Sequence, residues 1–408
     1  MGRRSGLLAV IVGALLSLIV GVSVAHACVC VRSHPAMRLP YADGAIVGTV
    51  ESRTDANDTL TYVVRVERAV KGTAIERVTV ASGLTSCQLF LDVGARVGLF
   101  LHSGGEATAC DVTDPDELLA AADLPAPRGS TRFVAAVQGS ATAVGLTAGG
   151  TPSAYGRGAS PMAIARCGSL VVTAARDTAG LHVVTQSARL DLVSSVDVPL
   201  RNVQALSCRG RTIWAAGAGG LVKIARGKAE LVRRITEVGT ATFTSVRAYL
   251  ATSGGLHVIT LSTGREQTFH HYGEFVTLSV NRGRVAGRLL GGGAATLVDG
   301  RMRLARRAEG ATWVDRDHLV DTRRGEILDT LLRPVRKIAP IPGDLVAVEG
   351  GAAYVADGNI VRRLAPGARS AKVFAKLPGK VVGLTAVAPK AAAAWHSCEQ
   401  SAKPPLTT

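Results

Sequence analysis

Apolar and polar residues alternate with a period of two along most of this chain, which predicts strands with one face toward a core. In the first third the alternation marks five of them, at 45–52, 60–70, 77–81, 94–102 and 107–112. Tyr62, Val64 and Val66 share one face of the second, and Val97, Leu99 and Leu101 one face of the fourth. One segment departs from the alternation. Asp114 is placed to cap a helix, Pro115 stands at its first position and Glu117 at the capping-box position, so a helix is predicted to about Ala122. Leu124-Pro125-Ala126-Pro127-Arg128-Gly129 then breaks every period and reads as a linker. The expected division is a first domain at 28–124, a linker at 125–131, a second domain at 132–395 and a tail at 396–408.

The second domain repeats itself. Cys167-Gly168-Ser169-Leu170 is echoed 41 residues later by Cys208-Arg209-Gly210-Arg211, and each leads to a strand opening on Gly-Leu, at Gly180-Leu181 and Gly220-Leu221. Gly255-Leu256 begins a third copy, and weaker echoes near Leu297, Ile327 and Ile360 keep the spacing between about 30 and 41 residues. That spacing suits four short strands per blade and predicts a β-propeller of about six to seven blades. Val144-Gly145-Leu146 and Val382-Gly383-Leu384 echo each other at the two ends, as a blade closed by both termini requires. A stacked sandwich or two smaller β-domains is the alternative. The fold class is all-β in either case.

Before the first strand, Arg3 and Arg4 precede an apolar run from Leu7 to Val24, and Ala25-His26-Ala27 supplies small residues for cleavage. This predicts a signal peptide at 1–27 and a secreted or cell-envelope-associated protein whose mature form begins at Cys28. Export favours disulfides over thiols or metal sites for the seven cysteines. Cys167 and Cys208, at matching repeat positions, are expected to pair across neighbouring blades, which leaves Cys398 in the tail. Lipidation of Cys28 would leave an even six and attach the chain to a membrane, although Ala25 stands where a lipobox has a branched aliphatic residue.

Cys28-Val29-Cys30-Val31-Arg32-Ser33-His34-Pro35 resembles the amino terminus of the tissue inhibitors of metalloproteinases, and the stretch from Cys28 to about Asp123 resembles the netrin-like module. Ala45-Ile46-Val47-Gly48-Thr49-Val50, the strand from Tyr62 to Lys71-Gly72, and Cys87 and Cys110 carry the wider likeness. The resemblance implies an OB-type barrel with bridges Cys28–Cys87 and Cys30–Cys110. It also implies an activity: the α-amine and carbonyl oxygen of Cys28 would chelate the open position of a protease's catalytic zinc, with Val29 in the specificity pocket and Cys30 held rigid beside it. The chain departs from the animal inhibitors at Pro40, where they have a third cysteine. Cys28 therefore has three readings: structural staple, zinc-directed amine and lipid anchor.

Charge divides unevenly. Residues 28–125 hold 8 Lys/Arg against 13 Asp/Glu, whereas residues 126–408 hold 37 against 18. The excess suggests an anionic cell-envelope polymer as partner of the second domain, with an extracellular protein or a zinc metalloprotease as the other candidates. Only 4% of residues are aromatic, and none is interleaved with the basic clusters at Arg301/Arg303/Arg306/Arg307 and Arg333/Arg336/Lys337, which argues against nucleic acid. Neither metal nor cofactor is expected. His270-His271-Tyr272-Gly273-Glu274 places its histidines on opposite faces of a strand, and Asp315-Arg316-Asp317-His318 lacks an accompanying nucleophile motif. The expectation is a non-enzymatic binding protein, with inhibition of a metalloprotease and a propeller-based hydrolase or lyase as alternatives.

Overall fold

A computed structural model describes Cys30 and residues 33–387, apart from 57–58, 73–74, 84–86, 140–141, 157–159, 271–273, 299–300, 307 and 350. The predicted leader, Cys28, Val29 and the tail lie outside the described residues. None of the described helices is long and apolar enough to cross a membrane. The chain forms two compact units, one gathering Cys30 with Asp43–Pro115 and the other gathering 33–42 with 116–387.

The first unit is a five-stranded antiparallel sheet of β1 (Gly44–Ala56), β2 (Thr59–Lys71), β3 (Arg77–Gly83), β4 (Arg96–Leu101) and β5 (Val112–Thr113), in the order β3-β2-β1-β4-β5. β1 pairs with β2 on one side and β4 on the other, and register shifts near Ala45, Val47 and Val50 bend it between them. Gly48 permits the close approach of β2, since a Cβ there would stand 2.4 Å from the Arg65 carbonyl oxygen. Alternate residues Leu60, Tyr62 and Val64 of β2 turn inward with Val78, Val80 and Leu99. The buried Tyr62 hydroxyl donates to the Leu89 carbonyl at 2.8 Å and accepts from the Leu91 N–H at 3.3 Å.

The strand expected at 107–112 is mostly absent. Ala109–Asp111 is a 3₁₀ turn, and only Val112–Thr113 pairs, with β4. The cause is local: buried Asp111 accepts from the Thr108 N–H at 2.8 Å and its hydroxyl at 2.7 Å, bonds that compete with a ladder. Just before the turn, Ala81 and Glu106 form a parallel bridge that ties this segment back to β3.

The second unit contains seven four-stranded antiparallel sheets among the described residues. Six are sequential meanders at 160–197, 205–235, 240–269, 279–305, 312–337 and 344–376. The seventh joins Gly379–Ala386 to Phe133–Gly139, Ala143–Leu146 and Pro152–Gly156, so the two echoing segments fall in one sheet. First strands of successive sheets touch through most of the circuit, which makes the unit propeller-like. Burial falls outward within each sheet. The second strand Arg247–Thr252 is buried over five of its six residues, whereas the fourth strand Pro334–Lys337 is exposed throughout. A strand covered on both faces reads as a continuous apolar run, and alanine and valine fill much of these layers, with Trp214, Tyr249 and Tyr354 buried among them.

Two segments behave differently from their expectation. Residues 33–42 follow the cysteine pair yet pack in the second unit: α1 (Pro35–Arg38) starts at His34, whose ring accepts from the Ala36 N–H at 3.1 Å. Ala36 is buried in a cluster with Val144, Tyr155 and Ala121, the last from α2 (Pro115–Ala122). The expected linker is also bonded in place, since the Tyr155 hydroxyl donates to the Pro125 carbonyl at 2.8 Å and the Arg128 N–H donates to that of Pro152 at 2.9 Å.

Candidate functional site

Adjacent sheets of the second unit splay at the turns joining first to second and third to fourth strands, and clefts of similar size open there among the described residues. The most charged has a volume of about 480 Å³ and lies between the sheets at 240–269 and 279–305. Arg247 enters it from the start of a second strand and Gln267 and Phe269 from a fourth strand. Arg282, Gly283 and Arg284 come from the next hairpin, and Arg316 from the turn of the sheet after that. Val258 and Leu297 form an apolar wall, both buried.

The hairpin explains how two of these arginines come to the cleft. Asn281 pairs with Arg284, leaving Arg282 (φ 49°) and Gly283 (φ 82°) as the two turn residues, both in the left-handed region as a type I′ turn requires. Asparagine or glycine is the usual first residue of such a turn, and arginine there costs about 1 kcal/mol. The Asn281 side-chain amide donates to the Asp315 carbonyl, and the Arg284 guanidinium donates to the Arg316 carbonyl at 3.4 Å. These two bonds hold the hairpin against the turn that carries Arg316.

The cleft is electrostatically uncompensated. Among the described residues, none of the four guanidiniums lies within 4 Å of a carboxylate, although Arg65, Arg77, Arg96, Arg233 and Arg333 elsewhere all have such partners. Three carboxylates adjoin lining residues in sequence without lining the cleft: Asp315 and Asp317 flank Arg316, and Glu266 neighbours Gln267 on the strand and so faces the opposite side. It is bonded there by His257 at 2.6 Å and by Arg233. Burial acts to raise the Glu266 pKa, but these two partners outweigh it and hold the carboxyl below its ordinary value. Beneath the hairpin lies Tyr249, only 2% exposed, whose hydroxyl has no hydrogen-bond partner among the described residues. A Cβ on Gly283 would stand 3.9 Å from that oxygen. An unpartnered buried hydroxyl costs about 1–3 kcal/mol.

A second cleft, of about 450 Å³, is mainly apolar and holds Asp315, His318 and Arg336. The His318 ring bonds Asp315 at 3.0 Å. Burial acts to raise the Asp315 pKa, but the Asp317 N–H, the His318 ring and the His318 N–H together hold it low. No serine, threonine or cysteine is among the described residues lining this cleft, so none of them offers the imidazole–carboxylate pair a side-chain nucleophile. A third cleft, of about 440 Å³, is bordered by Cys167, Arg211 and Arg226.

Of the residues singled out in the sequence, Cys28 and Val29 lie outside the described residues. Cys30 is bonded to Cys110, with Cα atoms 5.1 Å apart, and Cys87 is also disulfide-bonded. Cys167 is bonded to Cys208. The His270 ring bonds the Gly254 carbonyl at 3.1 Å, and His271 lies outside the described residues. Among the described residues no group of three or more His, Cys, Asp or Glu is arranged to hold a metal. The basic clusters noted in the sequence are dispersed: Arg301 and Arg303 sit on an exposed outer strand, and Arg333 is paired with Asp329 at 2.7 Å. The arginines that do converge were missed, because they lie on three separate turns or strand ends. The one local signal is Asn281-Arg282-Gly283-Arg284, a hairpin turn with arginine where the cleft opens.

No protein-family model matches the chain, and no curated protein matches it in sequence. Solved structures similar to it include apo AztD from Citrobacter koseri, at 11% identity and a TM-score of 0.42, covering 84% of this chain and 98% of that one. BamB from Moraxella catarrhalis is 15% identical with a TM-score of 0.40, covering 58% and 91%. A candidate 6-phosphogluconolactonase from Bacteroides fragilis is 12% identical with a TM-score of 0.48, covering 65% and 100%.

Proposed function

We propose that this chain is an exported, non-enzymatic binding protein whose second unit, a seven-bladed propeller, takes up an anionic cell-envelope polymer. The observation that carries the reading is the cleft of Arg247, Arg282, Arg284 and Arg316, four cations converging without a carboxylate partner among the described residues. Like charges held together cost free energy unless an anion joins them, so such a cluster is preorganised for an anionic ligand. Export is supported by the leader-like segment at 1–27 and by the disulfides, which persist in oxidising compartments. The test is retention of the mature protein on an immobilised anionic polymer. Retention that falls as salt rises from 0.05 to 0.5 M is expected, and salt-independent or absent retention would refute the reading.

A second reading concerns the first unit, and the Cys30–Cys110 bridge favours it, being one of the two that the netrin-like resemblance implies. In that reading the unit is an OB-type barrel, supported by pairing of β1 with both β2 and β4 and by the parallel bridge from Ala81 to Glu106. The Cys28 amine and carbonyl oxygen would then be directed at a protease's zinc. One alanine added ahead of Cys28 should abolish inhibition across a panel of zinc proteases. Inhibition that survives the extra residue excludes chelation by Cys28.

A further inference from the structure

We infer that the four-arginine cleft contains one discrete site for a phosphate group, to which the Tyr249 hydroxyl donates a hydrogen bond. The inference rests on the anion-binding reading above and narrows it from a polymer to a chemical group at a named position.

Three independent observations meet here. The first is charge: Arg247, Arg282, Arg284 and Arg316 line the same cleft with no acidic residue among its described lining. A carboxylate or sulfate ester brings one negative charge to this group, whereas a phosphate monoester brings nearly two at neutral pH, together with three acceptor oxygens for forked guanidinium donors. The second is Tyr249, whose hydroxyl is buried and unpartnered at the cleft floor. Buried hydroxyls are normally satisfied, and this one, with no protein partner among the described residues, is placed to donate to an acceptor that a ligand brings. The third is Arg282, held at a φ of 49° in a turn where asparagine or glycine would be unstrained. Leu190, Arg226 and Leu332 share this conformation, and at Arg282 the turn carries a guanidinium to the cleft. The wall of Val258, Leu297 and Phe269 gives the group's apolar neighbour a surface to lie on, and about 480 Å³ accommodates an ester rather than a bare ion.

The experiment is titration calorimetry of the mature protein with inorganic phosphate, with methyl sulfate and acetate as singly charged comparisons. One equivalent of phosphate should bind saturably, and more tightly than methyl sulfate or acetate. Tyr249→Phe should weaken phosphate about tenfold, the value of a hydrogen bond to a charged group, without lowering the melting temperature of the free protein. Arg282→Asn should raise that melting temperature, because asparagine tolerates the turn, while weakening phosphate by a similar factor. A purely structural role for either residue predicts the reverse pattern, lower stability with unchanged binding, and would overturn the assignment. Absence of saturable phosphate binding would also overturn it. Glycerol 3-phosphate, a soluble monoester, and phosphatidic acid vesicles are then tested as competitors: displacement by either supports an ester ligand and names its source, and displacement by neither overturns the ester assignment. Polymer retention that is unchanged in both variants would leave the proposed function standing and remove only this site. Loss of both phosphate binding and retention in the unmodified protein would remove both.

Discussion

Cys167 and Cys208 are disulfide-bonded with their Cα atoms 5.3 Å apart, joining the first strands of two consecutive sheets across 41 residues of chain. The bridge restricts the unfolded chain by closing a loop of that length. In the chain-entropy model, replacing both cysteines by serine lowers stability by about 4 kcal/mol. Urea unfolding of the oxidised protein and of the double variant, compared at equal m-value, checks this. A loss under about 1 kcal/mol would mean that the sheets are held in register without the bridge.

His182 lies between two carboxylates, Nε2 against Asp177 at 2.9 Å and Nδ1 against Asp197 at 2.7 Å. The bond to Asp177 and then that to Asp197 raise its pKa above the ordinary 6.5. With the folded value above the unfolded one, the stabilisation is complete below about pH 6.5 and is lost as pH rises through the folded value. Melting temperatures between pH 5 and 8 should therefore fall for the native protein relative to His182→Gln. A gap between the two that stays constant over this range refutes the assignment.

Tyr155 binds the expected linker to the second unit through Pro125, and burial pushes its pKa up to about 12. Tyr155→Phe should lose about 1 kcal/mol, the net value of one neutral hydrogen bond. It should also remove a step near pH 12 from an alkaline absorbance titration. An unchanged titration curve would contradict the environment described for this hydroxyl.

Tyr62 has the corresponding position in the first unit, where its hydroxyl serves both Leu89 and Leu91. Removing it strands two backbone groups in a core, so Tyr62→Phe should cost about 1–3 kcal/mol. Hydrogen exchange at the Leu91 amide should accelerate in the variant. No change there would mean that the hydroxyl does not protect the amide.

Regular elements were legible in the sequence to the extent that their signal was local and periodic. Period-two alternation marks β2 and β4 because one face of each meets the core. The repeat containing Cys167 and Cys208 marks the sheets because each is built from the same short meander. Elements decided by one or two side-chain bonds were not legible: Thr108 and Asp111 turn an apparent strand into a 3₁₀ turn. Residues 33–42 were equally hidden, because a four-residue helix burying only Pro35 and Ala36 has no period to read. The arginine cleft was the least accessible. Arg247, Arg284 and Arg316 are separated by more than 30 residues at each step, and only the stacking of sheets brings them to one cleft. Tyr249 likewise reads as an ordinary core aromatic until its hydroxyl is found without a partner.

The pairing of Gly379–Ala386 with Phe133–Gly139 has a consequence for how the second unit comes into being. A ribosome delivers the first of these partners some 240 residues after the second, so the sheet containing Phe133–Gly139 spends most of synthesis with one edge unpaired. Contacts this distant in sequence form slowly, and an open strand edge invites pairing with other chains. The last strand is thus a latch on the whole ring. Chains cut short before Gly379 should be recovered as aggregates, whatever the intrinsic quality of the other six sheets.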